Sequence, residues 1–279
     1  MKTEAQELAF NTVQQVRKEV ITFLILTLLT SSIFFILIGL GQTNELIALG
    51  LMWCPGLSAL VTRLIYRKSI AGLAWKLCQA KYLILAFMVP IILCVVEYGI
   101  VWLSVPNSID NEFAELLFSV KKIKWIIVNL IGNLVFALGE EIGWRGLLVR
   151  KLFSLSTFTK TSIIGGIIWA VWHYPVIIFT NYGQSLPIAL ALVIFTIGLI
   201  CSNTILTWFT LKTESIWPAV VLHGAGNFFI QSIFDHLTIQ SDQTRYLTGE
   251  FGLVGGIILL LAAFLFWRKR KSLKNHKCA

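Results

Sequence analysis

Eight stretches of this chain are each apolar for close to twenty residues, and that feature rules out most folds. A helix of about 20 residues at roughly 1.5 Å per residue matches the hydrocarbon thickness of a bilayer. The stretches fall at 20–40, 46–66, 82–104, 124–149, 161–180, 187–210, 215–235 and 250–267. In lipid a backbone must satisfy its own hydrogen bonds, so each stretch is expected to be helical. Composition agrees: 57% of residues are hydrophobic, 13% are charged, and the mean hydropathy is +0.79. A soluble domain of that composition would expose more apolar surface than it could cover. The expected fold is therefore all-α, a polytopic membrane protein with about eight transmembrane helices. A single helical domain occupies 20–267, between an N-terminal segment 1–19 and a basic tail 268–279.

The basic residues orient the chain. Lys2, Arg17, Lys18, Arg63, Arg67, Lys68, Lys76, Lys81, Arg150, Lys151, Lys160, Lys212 and the six in the tail share one side, eighteen in all. The other side has four: Lys121, Lys122, Lys124 and Arg245. Lys and Arg concentrate on the cytoplasmic side, so both termini are expected there. The net charge of +9 is thus a membrane signal, and nucleic-acid binding is not expected. A short helix on the outer surface is expected over 108–122, where Phe113, Leu116, Leu117 and Val120 recur at helical spacing. Five scattered cysteines suggest neither a disulfide framework nor a thiolate metal site.

Against this apolar background, Glu140, Glu141, His173 and His223 stand inside the stretches. Ionisable groups at membrane depth cost about 2.5 kcal/mol or more and usually mark function. Counting from Arg150, Lys160 and Lys212, Glu140, His173 and His223 all lie about 15–20 Å from a basic flank. Three helices thus present polar groups at one level. Adjacent helical residues point about 100° apart, so Glu140 and Glu141 are not expected to face one pocket centre. Arg145 is four residues after Glu141 and is expected to neutralise it, leaving Glu140 free. A buried carboxylate of this kind suits a general base for water. His173 shares the proton work or orients the water, and Trp169 lines the pocket or packs. His223 and Asn227 share a helix face, with Gly224 and Gly226 between them permitting close helix approach. Both side chains can donate to an oxyanion. A metal site is the alternative chemistry, with Glu140, His173 and His223 as ligands of a zinc ion. The residues fit both a metal-bound water and one activated directly by Glu140.

These segments resemble the motifs of the CPBP family of intramembrane proteases, which includes the Rce1-type CAAX prenyl endopeptidases and bacteriocin-processing members. Its E-E-x-x-x-R pattern is matched by Glu140, Glu141 and Arg145, and its H-x-x-x-N pattern by His223 and Asn227. Its F-x-x-x-H pattern is matched at His173, with Trp169 in place of the phenylalanine. That change is expected to touch substrate fit more than chemistry. The resemblance implies an eight-helix membrane peptidase whose core spans 124–235 and whose cavity opens to the cytosol. It implies that Glu140 and His173 activate the water while His223 and Asn227 hold the oxyanion. The substrate would be a membrane-associated peptide or lipidated protein, cleaved with either no cofactor or a divalent zinc. A bacterial plasma membrane is the expected location. Two other readings stay open: a non-catalytic immunity or regulatory protein on the same fold, and a proton-coupled transporter.

Overall fold

The computed structural model describes residues 4–117, 119–180, 182–183 and 186–273. Lys2, Lys274 and Lys277, with the end of the expected basic tail, lie outside the described residues. The architecture is all-α: α1 (Glu4–Gly39), α2 (Glu45–Arg67), α3 (Ala80–Ser104), the short α4 (Asn111–Leu117), then α5 (Val120–Glu141). From α5 the chain widens into π-helical turns over Ile142–Val149 and continues as α6 (Arg150–Leu155). It then forms α7 (Phe158–Phe179), α8 (Ile188–Thr213) and α9 (Trp217–Asn227), the last followed by a second π segment, Phe228–Phe234. The short α10 (Thr244–Leu247) precedes α11 (Leu253–Lys269).

The eight apolar stretches therefore correspond to eight long helical rods among the described residues. Six of them, within α1, α2, α3, α5–α6, α7 and α8, are long and apolar enough to cross a membrane. Their outward faces carry exposed isoleucine, leucine and valine, such as Ile21, Leu28, Leu29 and Ile33 along α1. In water this surface would be an aggregation liability; in lipid it is the expected exterior.

Two boundaries differ from expectation. Residues 4–19 form one helix with the first apolar stretch, and Glu19 at 0% exposure fixes that helix by pairing with Arg67 of α2 at 2.9 Å and Lys151 of α6. The surface helix is shorter than 108–122. Asp110 caps it by accepting from the Phe113 backbone N–H at 2.8 Å, and Val120 already begins α5.

Packing converges on α5, which lies between α2 and α9, while α9 packs also on α3, and α8 packs on α7 and α11. The α2–α5 crossing is a backbone contact. A Cβ on Gly139 would stand 2.8 Å from the Met52 carbonyl oxygen, and one on Gly143 would stand 2.6 Å from Pro55. Small residues at such crossings let helices approach within van der Waals range, the main attraction between helices in lipid. These glycines flank Glu140 and Glu141, so the tightest crossing in α5 fixes the height and rotation of both carboxylates.

Candidate functional site

Glu140 lies in the last turn of α5 at 2% exposure, and its two oxygens have different surroundings. Oε2 accepts from the Trp169 indole N–H at 2.6 Å and from the Trp144 indole N–H at 3.2 Å. Oε1 has neither donor and lies 4.0 Å from His223 Nε2. Trp144 is four residues after Glu140, the spacing at which helical side chains meet. Trp169 reaches across from α7. Arg145 also stacks on the Trp169 ring, its guanidinium carbon 4.1 Å from the ring centre.

Glu141 is fully buried and holds two partners with one oxygen. Arg145 donates to Oε1 from Nη1 at 2.8 Å, the pair expected from the spacing. His223 Nδ1 meets the same oxygen at 2.8 Å. The two glutamates are not expected to face one pocket centre, and of the two only Glu140 lines the cavity. They do point apart, but the His223 ring stands between them, with Nδ1 on Glu141 and Nε2 toward Glu140. A carboxylate on Nδ1 fixes the tautomer with hydrogen there and aims the Nε2 lone pair at the site. Neutral His223 is then an acceptor at Nε2, and it donates to an oxyanion only once protonated.

His173 is oriented the same way, Nδ1 donating to the Trp169 carbonyl at 2.9 Å. It forms no ion pair among the described residues, so the carboxylate expected to work with it, Glu140, stands closer to His223. Asn227 has no protein hydrogen-bond partner among the described residues. Glu140, Trp169, His173, His223 and Asn227 together line one cavity of about 660 Å³. The structure thus gathers the expected acid, imidazoles and amide around a shared space.

Several lining residues escaped sequence reasoning. Glu97 accepts from the Gly249 backbone N–H at 2.8 Å and faces the cavity. Glu250 accepts from Gln231 at 2.9 Å and lines the cavity too. No sequence signal marked Glu250, which precedes the last apolar helix like any flanking charge.

The donor set fits a zinc ion poorly. Among the described residues no group of three His, Cys, Asp or Glu side chains is arranged to hold a metal. Glu140 Oε1 and His223 Nε2 face each other, but among the described residues no third His, Cys, Asp or Glu side chain is placed to complete the three protein ligands of a catalytic zinc. The chemistry derived below therefore passes through no metal.

The cavity extends along several helices. Its lining continues from the motif level to Thr43, Thr180, Tyr182, Gly249 and Glu250, at helix ends opposite the basic flanks. On α8 the lining also reaches Ile205 and Leu206, toward the Lys212 end.

Residues 122–229 match the family model described as type II CAAX prenyl endopeptidase Rce1-like. The chain is also 33% identical over 143 residues to CAAX prenyl protease 2 of Methanococcus maripaludis, an alignment covering 49% of this chain. It spans about half the length of that curated relative, 50%. Over residues 122–229, where all three motifs lie, the chain is similar to type II CAAX prenyl endopeptidases of the Rce1-like kind.

Proposed function

We propose that this chain is an intramembrane endopeptidase of eight membrane-crossing helices that hydrolyses a peptide bond with a water activated by Glu140. One observation carries the reading: Glu140 Oε1 and His223 Nε2 face each other 4.0 Å apart at the end of the cavity. Two acceptors at that separation can share one water, each at about 2.8 Å. The indole donors on Oε2 hold the carboxylate so that Oε1 faces this water.

The water oxygen attacks the carbonyl carbon while Glu140 takes its proton. The tetrahedral oxyanion is met by the Asn227 amide, and His173 shares the proton work from α7. Glu140 then returns the proton to the departing amine as the C–N bond breaks, leaving a carboxylate and an amine. Glu141 and Arg145 position His223 and do not touch substrate. His223 enters this scheme as a partner of the water more than as the oxyanion donor that the family resemblance implied. The substrate class is a membrane-associated peptide or lipidated tail, and the bilayer is a bacterial plasma membrane.

The test is cleavage in detergent of two quenched-fluorescence reporters, one with a prenylated C-terminal tail and one an unmodified apolar peptide. Wild type is expected to cleave at least one and Glu140→Gln neither. Equal turnover by wild type and Glu140→Gln would overturn the proposal. No cleavage by the wild type, with a cellular phenotype surviving Glu140→Gln, would favour the non-catalytic immunity or regulatory reading.

A further inference from the structure

We propose that Glu97 and Glu250 form a subsite for a cationic side chain, so that the peptide carries a Lys or Arg close to the bond that is cut. That the peptide is cut rests on the endopeptidase reading; the preference for a cation rests on the carboxylates of the cavity wall.

Three carboxylates line the cavity, Glu97, Glu140 and Glu250, and no Lys or Arg among the described residues does. Glu140 is held by two indole donors. The other two lack a counter-charge: neither is in an ion pair among the described residues. Glu97 lies on α3 at 5% exposure. Its Oε1 accepts from the Gly249 backbone N–H, and its Oε2 has no hydrogen-bond partner among the described residues. The carboxylate rests against Gly255 of α11, where a Cβ would stand 2.5 Å from Oε1 and 2.7 Å from Oε2. Only a glycine at that position leaves room for it.

Glu250 follows Gly249, so the two carboxylates meet at one place in the wall. Its Oε1 accepts from Gln231, while its Oε2 is buried with no partner. A buried carboxylate oxygen without a donor is costly, and a buried charge without a partner more so. An ammonium or guanidinium group supplies both the donors and the charge. The α5 wall adds acceptors. Asn129 and Asn133 line the cavity, and each spends an amide N–H on the backbone carbonyl four residues earlier, at 2.9 Å. Each keeps an Oδ1 without a partner among the described residues.

The helix sets the position of the cation on the peptide. Gln231, the partner of Glu250, is four residues after Asn227, roughly 5–6 Å along the helix. An extended peptide advances about 3.3 Å per residue, so a Lys or Arg that reaches this wall belongs within about three residues of the scissile bond.

Binding tests the subsite independently of cleavage. Three fluorescent apolar peptides, alike but for a central Lys, Gln or Glu, are titrated onto the full-length chain in an uncharged detergent, with anisotropy as the readout. Wild type is expected to bind the Lys peptide about ten- to a hundredfold more tightly than the Gln peptide, the range of a hydrogen bond to a charged group. The Glu peptide should bind most weakly. The preference should survive Glu140→Gln and vanish when Glu97→Gln and Glu250→Gln are combined, since each glutamine keeps an oxygen for its former donor but no charge. Equal binding of the Lys and Gln peptides by wild type, binding of none, or a Lys preference that persists in the double variant would overturn the inference. Should the double variant fail to fold, Glu250→Gln alone, in the loop before α11, decides: the preference is expected to weaken, and an undiminished one counts against the subsite. Cleavage of the same peptides separates the two readings. A Lys preference in binding with no peptide cleaved sinks the endopeptidase reading alone, whereas cleavage of all three with equal KM sinks the cation subsite alone.

Discussion

The junctions at the ends of α5 and α9 use one backbone device in opposite surroundings. Each places motif residues on the last turn of an α-helix and then widens into π-helical turns, Ile142–Val149 after Glu141 and Phe228–Phe234 after Asn227. Wide turns of this type recur at functional sites because they re-aim the side chains beside them. After α5 the π segment is buried along its whole length; after α9 it lines the cavity and keeps Gln231 exposed. At the first junction Glu141 and Arg145 form a buried ion pair, though Glu141 Oε2 and Arg145 Nε and Nη2 keep no hydrogen-bond partner, whereas the Asn227 amide at the second is unpaired and lines the cavity. The same distortion therefore makes a scaffold where it is enclosed and a binding wall where it is not.

The largest expected effect is at the scaffold's one outward-looking atom. Glu140→Gln retains an oxygen for the two indole donors but cannot take a proton. Turnover is expected to fall by about 10²–10⁴, the usual contribution of a general base. Thermal unfolding in detergent is expected to stay near wild type. A variant that unfolds instead would show that Glu140 belongs with the scaffold, and the distinction between its two oxygens would collapse.

The next pair separates the junctions directly. Glu141→Gln leaves Arg145 buried without its counter-charge, a loss of about 3–5 kcal/mol for broken buried pairs. Asn227→Ala removes an unpaired amide and is expected to leave stability unchanged. It should lower turnover by about 10²–10³, the effect of deleting one oxyanion donor. Denaturation curves and turnover measured on both variants decide the matter. Equal destabilisation by the two changes would end the contrast between scaffold and wall.

Trp169→Phe restores the family's own pattern and yet is expected to lower activity. It removes the 2.6 Å indole donor to Glu140 while keeping an aromatic ring beneath Arg145. Hydrogen bonds to charged groups contribute about 1.5–3 kcal/mol. Turnover should fall by about ten- to a hundredfold, given 1.36 kcal/mol per factor of ten. An unchanged rate would return Trp169 to the role first expected of it, that of shaping substrate fit.

How far these features could be read in advance depends on the range of the interaction. The helical rods were visible because apolar length registers directly in sequence. The Glu141–Arg145 pair was visible because four-residue spacing brings two side chains together on one helix, and the Glu140–Trp144 contact has the same spacing. The Glu141–His223 contact joins residues 82 apart, and no periodicity within either helix encodes it. The Trp169 hydrogen bond was hidden for a different reason. An aromatic-for-aromatic exchange reads as a change of shape, while its added N–H finds a partner only in three dimensions. The cavity itself was hidden most of all, because it depends on where seven helices leave space.

Glycine substitution sharpens the comparison at its smallest scale. Gly143, in the buried π segment, and Gly226, one residue before Asn227, are both helical glycines beside a motif. A Cβ on Gly143 would lie 2.6 Å from the Pro55 backbone carbon and Cβ, and neither atom can swing away. Forcing atoms into a filled crossing costs about 1–3 kcal/mol. The shift would also tilt α5 and move Glu140, so Gly143→Ala should lose stability and turnover together. A Cβ on Gly226 meets nothing nearer than Pro90 Cβ at 4.0 Å, an ordinary contact at the cavity wall. Replacing glycine by alanine within a helix is favourable by roughly 0.5–1 kcal/mol, so Gly226→Ala should be neutral or slightly stabilising. A peptide running along that wall would meet the added methyl, and KM should then rise with kcat unchanged. If Gly226→Ala were instead as destabilising as Gly143→Ala, the α9 junction would be packed as tightly as the α5 junction, and one backbone device would have one role.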